Sequence, residues 1–385
     1  MQTFQKGLEV AQNNVANANT PGYLKQRLDL RALPFDSAQG LVGGVDSRPS
    51  TTTRNWFLEQ SVHTHSEAFG YHDRKAGLMS AIEANFDVTG QGGLSASLNA
   101  LFSGFASLSA SPNDPALRNQ VLAGAGRLTA EFRSLYGRLE QIRREVGGEL
   151  SGAVGNINQL GSKLTELNRR IMAGAQQDAA VDAEVHHTLE ELSRLAPIQT
   201  LRQNHGTFTV LLGGREPFVT GPHFHALRLE KAGTQDAPAD ARVLTAEGGD
   251  VTGLIHSGEL GALLEVHNTV LPRLIGGDNH AGDLNRLAQS VADRVNQLLA
   301  SGQTAGSPPV AGEPLFVYDA ARPNRLAATL QVNESLSGSQ LAIADPGPPP
   351  VANGIALRIA NLAKGTQDAD RIDGKSYQDF FAATF

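Results

Sequence analysis

The feature that most constrains the fold of this chain is a long stripe of apolar residues near its centre. The stripe follows Asn113-Asp114-Pro115, in which Asp114 is suited to cap a helix and Pro115 to occupy its first position. Its members recur at steps of mostly three and four residues: Leu128, Phe132, Leu135, Leu139, Ile142, Val146, Leu150, Val154, Ile157, Leu160, Leu164, Leu167 and Ile171. This spacing predicts one helix of about 60 residues, roughly 85–90 Å long, within a helical bundle.

Other segments provide further helices for such a bundle. Apolar residues at helical spacing predict helices over residues 56–86, 94–108, 183–195, 260–274 and 284–299. The long stripe contains glycines near its middle, at positions 147, 148, 152 and 155. Because a glycine costs a helix interior up to about 1 kcal/mol, we expect a break or bend there.

Two regions favour β-structure instead. Apolar and polar residues alternate from residue 198 to 229, which predicts β-hairpins, whereas the Gly-, Ala- and Asp-rich residues 232–250 predict a loop. From residue 301 the chain is rich in Pro and Gly. We expect short strands there at 315–318, 326–332 and 341–343. A last helix is predicted at 355–364, and a polar tail follows it.

These patterns predict a mainly α fold with β modules, that is, an α+β architecture. A rod-like bundle of long helices carries a β-rich insert and a β-rich C-terminal part. The expected parts are an N-terminal helix and linker (1–35), the helical bundle (36–197 and 256–300), a small β-rich subregion (198–255) and a β-rich module ending in a short helix (301–385).

Composition excludes several classes of partner and chemistry. The net charge of −7, with no basic cluster, argues against binding to nucleic acid or to an anionic membrane. The chain has no cysteine, which excludes disulfides, thiolate metal sites and cysteine nucleophiles. No stretch reaches the roughly 20 apolar residues of a membrane span, and residues 1–23 do not have the pattern of a secretory signal.

A second, shorter stripe lies at the N-terminus. Apolar residues at Phe4, Leu8, Ala11, Val15 and Ala18 define one face of a helix that stops at Pro21-Gly22. An isolated helix of this length is marginal in water, so the stripe is expected to stay disordered until a partner helix buries it.

The sequence gives no support for catalytic, cofactor or metal sites, so we predict that the chain is not an enzyme. His223 and His225 share one strand face, but no third ligand has useful spacing. Two further histidine groups precede glutamates at helical spacing and are interpreted as solvated helix faces, His63 with Glu67 and His186-His187 with Glu190-Glu191. No phosphate-binding loop or serine nucleophile motif is present.

Three separated stretches resemble the axial proteins of the bacterial flagellum, the family of rod, hook and hook-associated proteins. Residues 14–23, from Asn14 to Tyr23, are similar to the signature that closes the N-terminal helix in that family. Residues 113–118 with the following helix, and residues 258–265 with 283–296, resemble the hook-associated members found where the hook joins the filament.

The resemblance implies a structural subunit that self-assembles into a ring and contacts the hook protein and a second junction protein. It also implies an extracellular location, type III export without a cleaved signal peptide, and a cytoplasmic export chaperone. Members of the family end in a long heptad helix, and no heptad pattern follows Lys364, so the C-terminal axial helix is expected to be missing here. The residues expected to serve subunit packing are Phe4, Leu8, Val15, Asn14, Asn17, Asn19, Thr20, Pro21, Gly22 and Tyr23.

Two alternatives remain open at this point. A flagellar rod or hook subunit would share the N-terminal signature but would be mostly β after it, which the helical residues 56–171 argue against. A secreted adhesin would instead carry β units on a helical stalk and bind a ligand with them.

Overall fold

The computed structural model describes residues 2–20, 22–36, 40–47, 51–52, 55–86, 92–175, 178–234, 237–305 and 308–384. The predicted α+β fold class is confirmed, with helices dominating and β-structure confined to small antiparallel sheets. The helices are α1 Gln2–Ala16, α2 Trp56–Glu83, α3 Gly93–Ala110, α4 Pro115–Arg170, α5 Ala179–Leu195, α6 Gly258–Glu265, α7 Leu271–Ile275, α8 Asp283–Ala300, α9 Leu326–Thr329, α10 Gly354–Asn361 and α11 Tyr377–Thr384.

The strands are mostly short and pair with neighbours in the chain. They are β1 Gln26–Arg27, β2 Leu30–Asp36, β3 Leu41–Ser47, β4 Thr51–Thr52, β5 Ile198–Arg202, β6 Phe208–Leu212, β7 Glu216–Thr220, β8 His223–Phe224, β9 Leu227–Thr234, β10 Ala237–Thr245, β11 Phe316–Val317 and β12 Gln331–Val332. Strands β5 to β8 form one antiparallel meander in chain order, and the other sheets have two strands each among the described residues.

The long central helix is present and unbroken. Helix α4 has 56 residues and begins at Pro115, as the capping pattern predicted, and Asp114 accepts a hydrogen bond from the backbone N–H of Ala116 at 2.8 Å. A break or bend was expected at the glycines. The prediction of a break is wrong, because the helix continues through them. The buried stripe on both sides of these glycines outweighs their low propensity. The α-helical run ends instead in a π-turn, Ile171–Ala175, where Gly174 has φ of 114°.

The chain forms two compact units, and the first consists of Met1–Ala76, Gly148–Glu230 and Arg242–Glu265. Its core contains the β5–β8 meander packed on the second half of α4. Gly161 of α4 makes this packing possible, because a Cβ there would lie 2.6 Å from the Phe224 ring and 2.7 Å from the Phe218 ring. These two rings meet edge to face, with centroids 5.4 Å apart.

The second unit consists of Gly77–Gly147, Lys231–Ala241 and Val266–Phe385. Its core joins α3, α8, α10 and the first half of α4. The segment beyond residue 364 was predicted to be a polar tail, and that prediction is wrong, because it ends in helix α11. Tyr377 of this helix stacks on Phe102, and Phe381 meets Phe86 edge to face.

Three further expectations are corrected. Strands β9 and β10, Leu227–Thr234 and Ala237–Thr245, pair with each other where a loop was predicted for 232–250. Residues 326–329 form a helical turn before β12, and residues 341–343 are not a strand although all three are buried. Short apolar runs do not distinguish a strand from a helical turn by pattern alone, which accounts for the differences at 326–329 and 341–343.

Candidate assembly surface

Helix α1 is docked on its own chain through a mainly polar face. Among the positions whose burial is described, 3, 7, 10 and 14 of this helix and 17 just after it are partly buried. Thr3 Oγ1 donates a hydrogen bond to the backbone oxygen of Val45 at 3.0 Å, and a Cβ at Gly7 would lie 3.8 Å from Leu28 Cδ2. The spacing of these positions alternates four and three, so they form one continuous strip along the helix.

The predicted apolar stripe lies next to this strip and faces outward. Phe4 is 87% exposed, Leu8 61% and Val15 78%. In this structure the segment is a helix whose polar strip is docked on its own chain, and its disorder in the absence of a partner stays a prediction. The apolar stripe itself remains available to another helix.

Asn14 closes the helix against the strand that follows it. Its Oδ1 accepts hydrogen bonds from the backbone N–H of Gln26 at 2.8 Å and from the Tyr23 hydroxyl at 3.0 Å. Its Nδ2 donates to the backbone oxygen of Gln26 at 3.1 Å. Burial raises the pKa of Tyr23 above its ordinary value, so the hydroxyl stays protonated and able to donate.

The turn after α1 is held by short-range hydrogen bonds. Thr20 Oγ1 donates to Asn17 Oδ1 at 3.3 Å, and Asn17 Nδ2 donates to the backbone oxygen of Asn13 at 3.0 Å. The backbone N–H of Tyr23 reaches the oxygen of Thr20 at 3.1 Å. Asn19 is exposed on this turn, and Pro21 lies outside the described residues.

Gly22 fixes this turn against α5. Its φ of +75° favours glycine, and a Cβ there would lie only 2.5 Å from the backbone oxygen of Ala183 and 3.2 Å from the Cβ of His187. The signature residues Asn14, Gly22 and Tyr23 therefore orient α1 on the first unit, whereas the stripe residues are free to contact a partner.

The same unit exposes apolar residues that were not among the predicted assembly residues. Leu58, Val62 and Phe69 lie on α2 at steps of four and seven, so they share one face, and Phe57 is exposed beside them. Leu30, Leu33, Phe35 and Val45 are exposed on the β2–β3 hairpin. The helical spacing on α2 was the available signal.

The histidines divide into exposed and buried groups. His223 is exposed, and His225 Nδ1 lies 3.9 Å from Glu247 Oε1 beside it. Within the described residues, no group of three or more His, Asp or Glu side chains could hold a metal ion. Within the same residues, no helix has the length and apolarity that crossing a membrane would require.

The solvated-face interpretation is wrong for His63 and His186. Both are buried, 3% and 5% exposed, where α2 packs on α5. An i,i+4 pattern of histidine and carboxylate looks the same on a solvated face and on a buried one, so the sequence could not distinguish them. His187 and Glu191 do occupy an outer face, at 3.6 Å from each other.

Two family models match separate parts of the chain. The family model described as the flagellar hook-associated protein FlgK helical domain matches residues 79–316, and that described as the flagella basal body rod protein matches residues 1–23. Flagellar hook-associated protein 1 of Bacillus subtilis is 32% identical over 177 residues, covering 43% of this chain and 35% of that protein. Its namesake in Salmonella typhimurium is 22% identical over 325 residues, covering 79% of this chain and 56% of that protein.

A solved structure, the flagellar hook junction protein FlgK from Burkholderia pseudomallei, matches with a TM-score of 0.58 and 20% identity. The match covers 68% of this chain and 46% of that one, and at this identity it supports the fold alone. The matched region spans between 35% and 56% of the length of these curated relatives. Because the helical-domain match extends over more than half of the sequence, the chain belongs to the family of the flagellar hook-associated protein FlgK.

Proposed function

We propose that this chain is a structural subunit of the bacterial flagellum that forms the junction between hook and filament. Its curated relatives carry the name flagellar hook-associated protein 1, and a solved relative is described as a flagellar hook junction protein. The observation that carries the proposal is the docking of α1 through its polar strip, which leaves Phe4, Leu8 and Val15 exposed.

The exposed stripe provides a driving force for assembly. Burying a side chain such as Phe, Leu or Val fully contributes about 1.5–3 kcal/mol. Three such residues in one line therefore favour contact with an apolar helix by several times the thermal energy. In the assembled flagellum that helix would belong to the axial core, so the stripe would serve subunit packing and not chemistry.

The remaining parts of the proposal concern partners and location. The subunits would form a ring, with the hook protein on one side and a second junction protein on the other. The exposed α2 face with Leu58, Val62 and Phe69 would add to packing between neighbouring subunits. The protein would be exported without a cleaved signal peptide, held before export by a cytoplasmic chaperone, and would act outside the cell without enzymatic activity.

A flagellar rod subunit is the second candidate, because the rod-protein family matches residues 1–23. The match of residues 79–316 to the FlgK helical domain favours the junction role. The two candidates differ in the stage at which assembly stops when the protein is lost, since the rod precedes the hook and the junction follows it.

The test replaces the native gene in its host with a Leu8→Ser variant. Leu8 is exposed in the free chain, so the variant should fold normally by circular dichroism while losing apolar contact in the assembly. We expect cells with hooks, few or no filaments, and filament protein released into the medium. Glu9→Gln, also exposed and outside the stripe, is the matched control and should leave filaments normal.

Other results would contradict the proposal in distinguishable ways. Normal filaments in the Leu8→Ser strain would contradict the burial of the stripe in subunit packing, but they would not contradict the junction role. A gene deletion that abolishes hooks would indicate a rod or hook subunit. A deletion strain with normal filaments and motility would reject a flagellar role and leave the adhesin alternative.

A further inference from the structure

The contact between α2 and α5 in the first unit contains two buried histidines among carboxylates. His186 of α5 places Nδ1 3.2 Å from Glu59 Oε2 of α2, and Nε2 3.7 Å from Asp182 Oδ1 of its own helix. The charges of Glu59 and of Glu190, which belongs to α5, favour protonation of His63 of α2. We define these five residues as the histidine seam.

The surroundings of the seam are partly charged and partly aromatic. Glu190 lines a surface cavity together with His65, His187, Glu191 and Arg194. The Phe208 ring of β6 meets the His186 ring edge to face, with centroids 5.5 Å apart. The guanidinium carbon of Arg202 of β5 lies 5.7 Å from the centroid of that phenyl ring, and Arg202 lines the same cavity as His186. Trp56 lines the same small cavity as Glu59 and His186.

His63 is the group in the seam that resists protonation. Within the part of the chain that the structure describes, neither ring nitrogen of His63 has a hydrogen-bond partner. Burial lowers the pKa of His63 below its ordinary 6.5, and the attraction of Glu59 and Glu190 offsets this only in part. In the unfolded chain the ring takes up a proton near pH 6.5, earlier than in the folded chain. The stability that the neutral ring contributes is therefore full above pH 6.5 and is lost as the pH falls toward the folded pKa.

The histidine seam is adjacent in α5 to the residues against which the turn after α1 packs. Gly22 packs against the backbone oxygen of Ala183 and against His187, and His186 lies between these two positions on the same helix. A displacement of α5 at the seam therefore moves the surface on which the turn after α1 rests.

We propose that the histidine seam is an acid-sensitive latch, in which protonation of His63 loosens α2 from α5 and releases the turn that anchors α1. The latch controls whether the apolar stripe of α1 is held in place, and it acts on the free chain whatever its partner. It does not depend on the junction role, because all its parts lie within the first unit.

The single tryptophan of the chain, Trp56, allows a direct test. Its fluorescence would be followed in the full chain from about pH 7.5 to 5, together with imidazole NMR signals and hydrogen exchange of the α1 amides. We expect a fluorescence transition with a midpoint below 6.5 that coincides with the titration of His63. Faster exchange in α1 should accompany it, before circular dichroism reports global unfolding.

Matched variants separate the latch from general acid effects. His63→Leu, which keeps an apolar side chain and cannot titrate, should abolish the transition. His65→Leu, two residues along the helix and exposed, should retain it. Glu59→Gln removes a charge that favours protonation, so it should move the midpoint to lower pH, and it tests the proposal even if His63→Leu does not fold. Titration of His63 at or above pH 6.5, or α1 exchange that stays constant through the transition, would overturn the proposal.

Discussion

Asparagine side chains on the helices repeatedly pair with both backbone groups of a residue in an extended segment. Asn168 accepts from the N–H of Phe208 and donates to its oxygen, both at 2.8 Å, and Asn158 pairs with Leu227 at 2.9 and 2.7 Å. The same arrangement joins Asn14 with Gln26, Asn268 with Ala241, and Asn296 with Phe316. An amide can do this because it offers a donor and an acceptor as a peptide group does.

This pairing predicts that Asn168→Asp lowers the free energy of unfolding strongly. Asn168 is fully buried, and its Nδ2 also donates to the backbone oxygen of Gly221 at 2.9 Å. The variant replaces that donor with a carboxylate oxygen facing two carbonyls, so we expect a loss of about 2–4 kcal/mol in the free energy of unfolding. Urea unfolding followed by circular dichroism measures it. Asn156→Asp, on the exposed side of the same helix, is the control. Equal effects of the two changes would show that the pairing contributes little.

At the scale of elements, periodicity predicted most helices but not which face of each helix is covered. In α1 the apolar stripe and the docked polar strip are offset by one residue, as Thr3 and Phe4 illustrate. The spacing identifies residues that share a face, whereas the hydrogen bonds to Val45 and Gln26 that decide the docking depend on segments about 12 to 42 residues away. The signature residues were therefore predictable as a group, but their separate roles in anchoring were not.

Replacing each of two glycines of α4 by alanine is predicted to have opposite effects on the stability of the chain. Among the described residues, nothing lies within 4 Å of a Cβ built at Gly152, so Gly152→Ala should stabilise the chain by about 0.5–1 kcal/mol through helix propensity. Gly161→Ala should destabilise it by about 1–3 kcal/mol, because the new methyl would enter the Phe218 and Phe224 rings. Thermal unfolding of both variants beside the wild type provides the measurement. A stabilising Gly161→Ala would mean that the meander does not pack closely on α4.

At the scale of the whole molecule, the α+β class was predictable because helical and alternating patterns are local. The composition of the two units was harder to predict from the sequence, because each unit combines three separated segments of the chain. The four-part division drawn from chain order stays a prediction. Helix α11 shows the difficulty, because its eight residues carry too little pattern of their own and are placed by contacts such as that of Tyr377 with Phe102.

Tyr377 also predicts how the second unit responds to alkali. Burial, with a smaller contribution from the charge of Asp370, raises the pKa of Tyr377 to about 12 from 10.0. Its hydroxyl is 3.3 Å from the backbone oxygen of Ser290, a contact that requires the protonated form. The unfolded chain loses this proton near pH 10, earlier than the folded one, so stability should fall as the pH rises from about 10 to 12.

Tyr377→Phe should reduce this alkaline loss, because the ring keeps its stacking on Phe102 and no longer titrates. Urea unfolding midpoints measured across this pH range for both proteins provide the comparison. Tyr318, whose hydroxyl donates to Asp293 at 2.5 Å, also has a pKa raised to about 12, so the variant should retain part of the dependence. Removing both hydroxyls with Tyr377→Phe and Tyr318→Phe should flatten the profile further. An unchanged profile in the double variant would show that other groups set the alkaline limit of the fold.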